Sequence, residues 1–359
     1  MKILCEKSPR ITFSTPEIFV DHSLENRSGH LGHAMVECAD GAIIAFYSNC
    51  SGVSGIEFGG PGHSMYGWVE YKISLDRGIT WGEAKVLQYS YDCFMDGVYK
   101  IGCEKAVCCD DGTLVVFCLR SIGKWFEPYA TPVCLISHDR GETWSNPIEV
   151  SDERGRIYDA FYKDGRIYVL EFCNSTDKGF TCNEEGKFYK IFASDDNGNS
   201  FYEYSVIPFD TMGHAYGNMV IREDGSLVFY AYNVNDEYNL TGLISEDMGK
   251  TWSAPFKVAV AKIARNPQVN YLNGWYFLHG RSEEGSNFVV YHSKDGIHWD
   301  EGKIVSEPIE GKQRGGYYSN NLAVVGADGK KRLLLQYSED YTPDTSKVNI
   351  IHAWIECED

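Results

Sequence analysis

Residues 137–144 read SHDRGETW, and four near-copies recur along the chain. They are SLDRGITW (Ser74 to Trp81), SDDNGNSF (Ser194 to Phe201), SEDMGKTW (Ser245 to Trp252) and the shorter SKDGIHW (Ser293 to Trp299). A motif returning every ~50–60 residues marks a repeat architecture. Asp and Ser side chains bond nearby backbone groups and so hold turns, Gly takes angles that other residues avoid, and Trp offers an apolar face beneath. Each copy reads as a pinned turn between two strands. The Asp residues are expected to hold turns and not to do chemistry.

A second repeat interleaves with the first. Asp40-Gly41, Asp111-Gly112, Asp164-Gly165, Asp224-Gly225, Asn273-Gly274 and Asp328-Gly329 sit between β-rich runs such as AVCCDDGTLVVFCL. Such pairs between apolar runs signal tight hairpins. Six units follow, each with two inner strands joined at the Asp-Gly or Asn-Gly turn and two outer strands joined at the Ser-x-Asp turn. Only the sixth lacks the outer motif. No extended helical period competes. The expected fold is all-β: one six-bladed β-propeller with four-stranded antiparallel blades, spanning residues 1–359 as a single domain. VNIIHAWIE (Val348 to Glu356) is expected to supply the last blade's final strand, with a contribution from ITFSTPEIFV (Ile11 to Val20).

Composition bounds the function. Acidic residues outnumber Lys and Arg by 51 − 33 = 18, giving a net charge of −18. That argues against nucleic acid or an anionic membrane as partner. No run approaches a transmembrane helix, and MKILCEKSPRITF lacks the apolar core of a signal peptide. The 12 cysteines show no metal-finger spacing and read as reduced, buried small hydrophobes. A cytoplasmic location is expected.

The Ser-x-Asp-x-Gly-x-Thr-Trp motif around a six-bladed ring resembles the Asp-box (BNR-repeat) propellers of the sialidase superfamily, from about Gly29 to Tyr337. Asp boxes also occur in glycan lyases, other glycosidases and non-enzymatic propellers, so the site needs its own argument. In a propeller the first strand of each blade lines the axis. The residues a short way before each hairpin turn are then the candidates. Blade one gives Leu31, Gly32 and His33; blade two Gly102, Cys103, Glu104 and Lys105; blade three Tyr158 and Asp159. Blade four gives His214, Ala215, Tyr216, Gly217 and Asn218; blade five Arg265 and Asn266; blade six Tyr317, Tyr318, Ser319, Asn320 and Asn321. A water-filled channel tolerates polar residues, but this set mixes acids, a base and phenols, as general acid–base catalysis requires. The far ends of the second strands add Tyr47, Arg120, Tyr232, Asn233, Arg281 and Gln336. Arg120, Arg265 and Arg281 are expected to converge. Arginine forks grip carboxylates, so an anionic sugar is the expected substrate; each Arg could instead pair with a protein carboxylate, Arg265 with Glu104 for example.

The resemblance assigns places residue by residue. The first sialidase arginine falls in GHLGHAM (Gly29 to Met35), where His30 or His33 stands instead. The glutamate that partners the nucleophile maps to Tyr216, and the second arginine to Tyr232 or Asn233. The catalytic Asp belongs to the loop Ser48 to Trp68, which offers only Glu57 and His63. GGYYSNNL resembles the Tyr-Ser segment of the nucleophile, which makes it Tyr318, and Arg281 or Arg314 could stand for a remaining arginine.

The resemblance implies an exo-acting glycoside hydrolase that removes a terminal sialic- or uronic-acid-type sugar from an oligosaccharide. Tyr318 would be the nucleophile, with His33, Asp159, Glu104 and His63 as further catalytic candidates. Arg265, Arg281, Arg120, Asn266, His214, Tyr216 and Asn320 are the substrate-binding candidates. Two alternatives stay open: β-elimination next to a uronic acid, using Arg265, His33 or His214, and Tyr318, or a non-catalytic carbohydrate-binding propeller. No metal and no cofactor is expected.

Overall fold

The computed structural model describes residues 9–51, 67–122, 128–175, 185–282, 287–306, 317–343 and 347–358. Six antiparallel sheets follow one another as six blades. Blade two is Lys100–Cys108, Leu114–Ser121, Val133–Ser137 and Ile148–Glu149. Blade three is Gly155–Lys163, Arg166–Asn174, Lys187–Ser194 and Tyr202–Val206. Blade four (His214–Ile221, Leu227–Asn233, Asn239–Ser245, Phe256–Ala259) and blade five (Arg265–Leu272, Trp275–Ser282, Asn287–Ser293, Lys303–Ser306) repeat the pattern. The second strands are apolar because neighbouring blades cover both their faces. All eight residues of Leu114–Ser121 are buried, for instance.

Blade six closes the ring with both ends of the chain. Ser319–Val325 and Lys331–Asp340 are its inner strands, and Val348–Glu358 is the third strand, not the last. The fourth is Arg10–Phe13, paired with Val348–Glu358 from Arg10↔Glu358 to Phe13↔Ile355. Glu17–Val20 then pairs further along the same strand. Blade one departs from the pattern at the axis. Its second strand, Ile43–Ser51, pairs with two short segments, Arg27–Ser28 and Met35–Glu37. Between them residues 29–34 leave the sheet, so His30 and His33 lie on a loop and not on alternate faces of a strand.

The Asp boxes close as the sequence suggests. In blade two, Ser137 Oγ donates to Asp139 Oδ1 (2.8 Å), Gly141 N donates to Ser137 Oγ (2.8 Å), and Thr143 N and Oγ1 donate to the Asp139 carboxylate at 2.9 and 2.6 Å. The Thr143 hydroxyl and amide, above all, hold the Asp139 carboxyl down to about 2. Each turn also leans on the blade before it. A Cβ on Gly141 would meet Ile44 of blade one at 2.9 Å, and Gly141 O accepts from Tyr71 Oη at 2.6 Å. Gly198 meets Val115, and Gly296 O accepts from Tyr230 Oη at 2.5 Å. The boxes are therefore inter-blade staples as well as turns. Two helices have no counterpart in the sequence reading, a 3-10 turn at His22–Glu25 and an α-helix at Gln88–Asp96 between blades one and two. The α-helix ends at Gly97 in the left-handed region (φ 68°), and Ser90 and Cys93 are its buried side chains.

Candidate active site

The first strands of four successive blades each carry an irregularity at one height. The ladder shifts register between Cys103 and Lys105, Ile157 and Asp159, Ala215 and Gly217, and Arg265 and Gln268. The skipped residues are Glu104, Tyr158, Tyr216, and Asn266 with Pro267. A β-bulge re-aims a side chain and bends the strand, which is how a sheet directs a group toward an axis. Two of these residues sit at positive φ, Tyr216 at 54° and Asn266 at 58°. For a bulky aromatic that conformation costs ~1–3 kcal/mol, and such strain collects at functional sites. Tyr189 Oη holds the Tyr216 bulge by donating to its carbonyl at 3.0 Å.

The bulges surround a narrow funnel, a cavity of about 30 Å³ lined by Leu31, His33, Glu104, Arg156, Tyr318 and Asn320 among others. Its most unusual feature is a phenol pair. Tyr216 and Tyr318 share a side-chain hydrogen bond. Burial pushes Tyr216 up, but the Arg265 and Arg281 guanidiniums outweigh it and bring the phenol below its usual range. Burial raises Tyr318 well above its usual range. The Arg281 guanidinium stands over the Tyr318 ring at 4.2 Å, and its Nη2 donates to Tyr216 Oη at 3.4 Å. Arg265 lies 5.9 Å from the Tyr216 ring and 5.6 Å from the Tyr232 ring. The Nε atoms of Arg265 and Arg281 are buried without a partner among the described residues. His30 meets the Tyr318 ring edge-on at 4.7 Å.

Opposite charges sit close by. Glu104 Oε2 accepts from Arg156 Nη2 at 3.0 Å, both side chains being nearly buried. Glu104 Oε1 has no partner among the described residues. His33 lines the funnel, and burial drives its imidazole down to about 3, so it is neutral.

The sequence-derived candidates separate clearly. Tyr318, Tyr216, Arg265 and Arg281 form one cluster, and Glu104, His33, Asn266 and Asn320 line the funnel it belongs to. Asp159 lies deeper and is fully engaged. It accepts from Asn218 Nδ2 (2.8 Å), Met219 N (2.7 Å) and Ala160 N (2.9 Å) and pairs with Lys105 (3.2 Å). Arg120 does not converge with the other arginines. Its Nε donates to Thr131 O at 2.6 Å, its Nη2 pairs with Glu149 at 3.1 Å, and its guanidinium covers Tyr99. His214 turns into its own blade, bonded to Met212 O at 2.9 Å and Thr241 Oγ1 at 2.8 Å. His63, Glu57 and Arg314 lie outside the described residues.

Arg156 was not singled out from the sequence, and it takes the Glu104 partnership offered to Arg265. The signal was there: Arg156 stands two residues before Tyr158, where strand alternation repeats a face. Among the described residues no group of three or more His, Cys, Asp or Glu could hold a metal.

A family profile described as a BNR repeat-like domain matches residues 104–307, more than half of the chain. A sialidase from Paraclostridium sordellii is 24% identical over 330 residues, covering 84% of this chain and 73% of that one. A crystal structure of a protein of unknown function from Dyadobacter fermentans is similar at TM-score 0.68 and 14% identity, over 96% of this chain and 99% of that one. The Ruminococcus gnavus intramolecular trans-sialidase, in complex with oseltamivir carboxylate, is similar at TM-score 0.60 and 14% identity, over 97% and 94%. At these identities the structural likenesses speak to the fold alone.

Proposed function

We propose a glycan-processing role for this chain, which belongs to the BNR repeat-like family and is sialidase-like in fold. In this reading it is an exo-acting glycoside hydrolase that removes a terminal anionic sugar. The observation that carries it is the Tyr216–Tyr318 pair beside Arg265 and Arg281. A phenol is a weak nucleophile until a base takes its proton. The two guanidiniums that lower Tyr216 favour its phenolate, which would accept the Tyr318 proton as Tyr318 Oη attacks the anomeric carbon; the glycosidic C–O bond breaks, and the leaving oxygen takes a proton from water. Tyrosine nucleophiles are a known departure from the two-carboxylate scheme of glycosidases. The Arg265 and Arg281 guanidiniums, set beside the phenol pair, suit an anionic substrate, as buried guanidiniums keep their charge. Glu104, which lines the funnel and has one carboxylate oxygen buried without a partner among the described residues, would take a proton from the water that releases the glycosyl-tyrosine.

The same pair favours a second reading. One phenol held down and its neighbour held up is the disposition of a base and an acid, which β-elimination next to a uronic acid also needs. Sialylated and uronic-acid-terminated oligosaccharides, offered in parallel, separate the two. Release of free sugar supports hydrolysis; an unsaturated, ultraviolet-absorbing product supports elimination. Absence of both, with the sugars still bound, points to a binding propeller. A fluorinated sialoside should trap a covalent adduct on Tyr318 in peptide mass spectrometry, and an adduct elsewhere refutes the assigned nucleophile. A reducing, cytoplasmic setting belongs to the same proposal. The ten described cysteines are thiols, and Cys103 and Cys118 lie with their sulfurs 3.7 Å apart, unbonded.

A further inference from the structure

At the floor of the funnel one side chain joins four blades. Lys105 leaves blade two, and its Nζ donates to Gln268 Oε1 of blade five at 2.7 Å and to Asn320 Oδ1 of blade six at 2.9 Å. It also pairs with Asp159 Oδ1 of blade three at 3.2 Å. An ammonium has three donors, and these three acceptors match them one for one. The acceptors are themselves fixed. Asp159 is held by Asn218 Nδ2 and Met219 N of blade four, and Asn218 Oδ1 accepts from Val269 N of blade five at 2.8 Å. Asn320 Nδ2 donates back to Glu104 O at 3.1 Å. Beside the network stands His279, kept neutral near 3 by burial, with Nδ1 on Ser319 Oγ and Nε2 facing Asn321 Nδ2. The Lys105 and Asp159 side chains are 13% and 8% exposed, so the charges meet almost out of water.

This is the coordination of an ion, supplied here by a side chain: one carboxylate and two amide oxygens, converging from three blades on a single positive atom. We propose that Lys105 is a built-in axial cation, and that its cage of Asp159, Gln268 and Asn320 is a preformed site for a small monovalent ammonium ion. Lys105 is then a positioning residue. It holds Asn320, two residues from Tyr318, and Gln268, two residues from Asn266, and it neutralises the buried Asp159 carboxylate beside the funnel. No reaction step passes through it.

The test needs no substrate, so its outcome is independent of which sugar the funnel takes. Lys105→Ala empties the cage and strands Asp159, which should lower Tm by roughly 5–10 °C. Ammonium or methylammonium chloride at about 0.5 M should restore roughly half of that loss, and tetramethylammonium chloride at equal ionic strength should restore none. Lys105→Ala/Asp159→Asn should show no ammonium-specific rise. An equal response to all three salts, or an unchanged ammonium response in the double variant, overturns the proposal. Should Lys105→Ala fail to fold, two near-isosteric variants decide. Lys105→Met/Asp159→Asn removes both charges together and should melt well above Lys105→Met. Equal Tm values for that pair would show that the lysine is not there to balance the carboxylate.

Discussion

Glu104 and Arg156 offer the sharpest test of the site's physical state. Their N···O distance is 3.0 Å, with side chains 10% and 5% exposed. At an effective dielectric of ~20, unit charges at that spacing attract by about 5–6 kcal/mol. Desolvation of both ions offsets most of this, so the pair itself contributes little net stability. Removing one partner is different, because the other charge stays buried without compensation. Arg156→Met, which strands the carboxylate, should cost about 3–5 kcal/mol, and Glu104→Gln, which strands the guanidinium, a similar amount. The double variant Glu104→Gln/Arg156→Met should recover to within about 1 kcal/mol of the parent. The coupling, read from urea unfolding of all four proteins, is then large and favourable. Two results refute the reasoning: either single variant costing under ~1 kcal/mol, which means that water screens the pair, or costs that simply add in the double variant.

Tyr318→Phe should abolish turnover on any accepted glycan while Tm stays close to the parent; full activity in that variant removes Tyr318 from the chemistry. Burial raises Glu171 from 4.5 to about 8, so between those values the folded chain keeps a proton that the unfolded chain has lost, and this contribution to stability falls as pH rises through the window. Glu171→Gln should flatten the decline in Tm from pH 5 to pH 8, and an unaltered slope would count against the assignment. His33, His279 and His352 act with the opposite sign: burial lowers each from 6.5 to about 3, so their contribution is full above 6.5 and lost as pH falls toward 3. Gly141 (φ 79°) and Gly165 (φ 81°) make a matched pair, since a Cβ would meet Ile44 at 2.9 Å in the first and nothing within 4 Å in the second. Both Ala variants should lose ~1–3 kcal/mol to backbone strain, and Gly141→Ala should lose more; equal losses would show that the Asp-box turn does not brace blade one.

The repeat decided the ring before any coordinate did. Ser-x-Asp-x-Gly and Asp-Gly signals are local: the bonds that close each turn reach four residues at most, as from Asp139 to Thr143, so sequence spacing alone locates them. Blade number and the strand order of blades two to five follow by counting, and Tyr318, Tyr216, Glu104 and Arg265 were legible because each lies a short way before a hairpin turn. The helix Gln88–Asp96 was not, because a single nine-residue helix with two buried side chains carries too short a period to stand out. What only the tertiary structure decided is which long side chain meets which. Arg120 and Arg156 both occupy blade strands, yet one turns to Thr131 and Glu149 and the other to Glu104, 52 residues away. The four bulges that aim Glu104, Tyr158, Tyr216 and Asn266 inward are products of ladder register, and register depends on the partner strand. Local hydrogen bonding is written in short motifs. The partnerships of a buried charge are set by burial and distance across blades, which no local motif encodes.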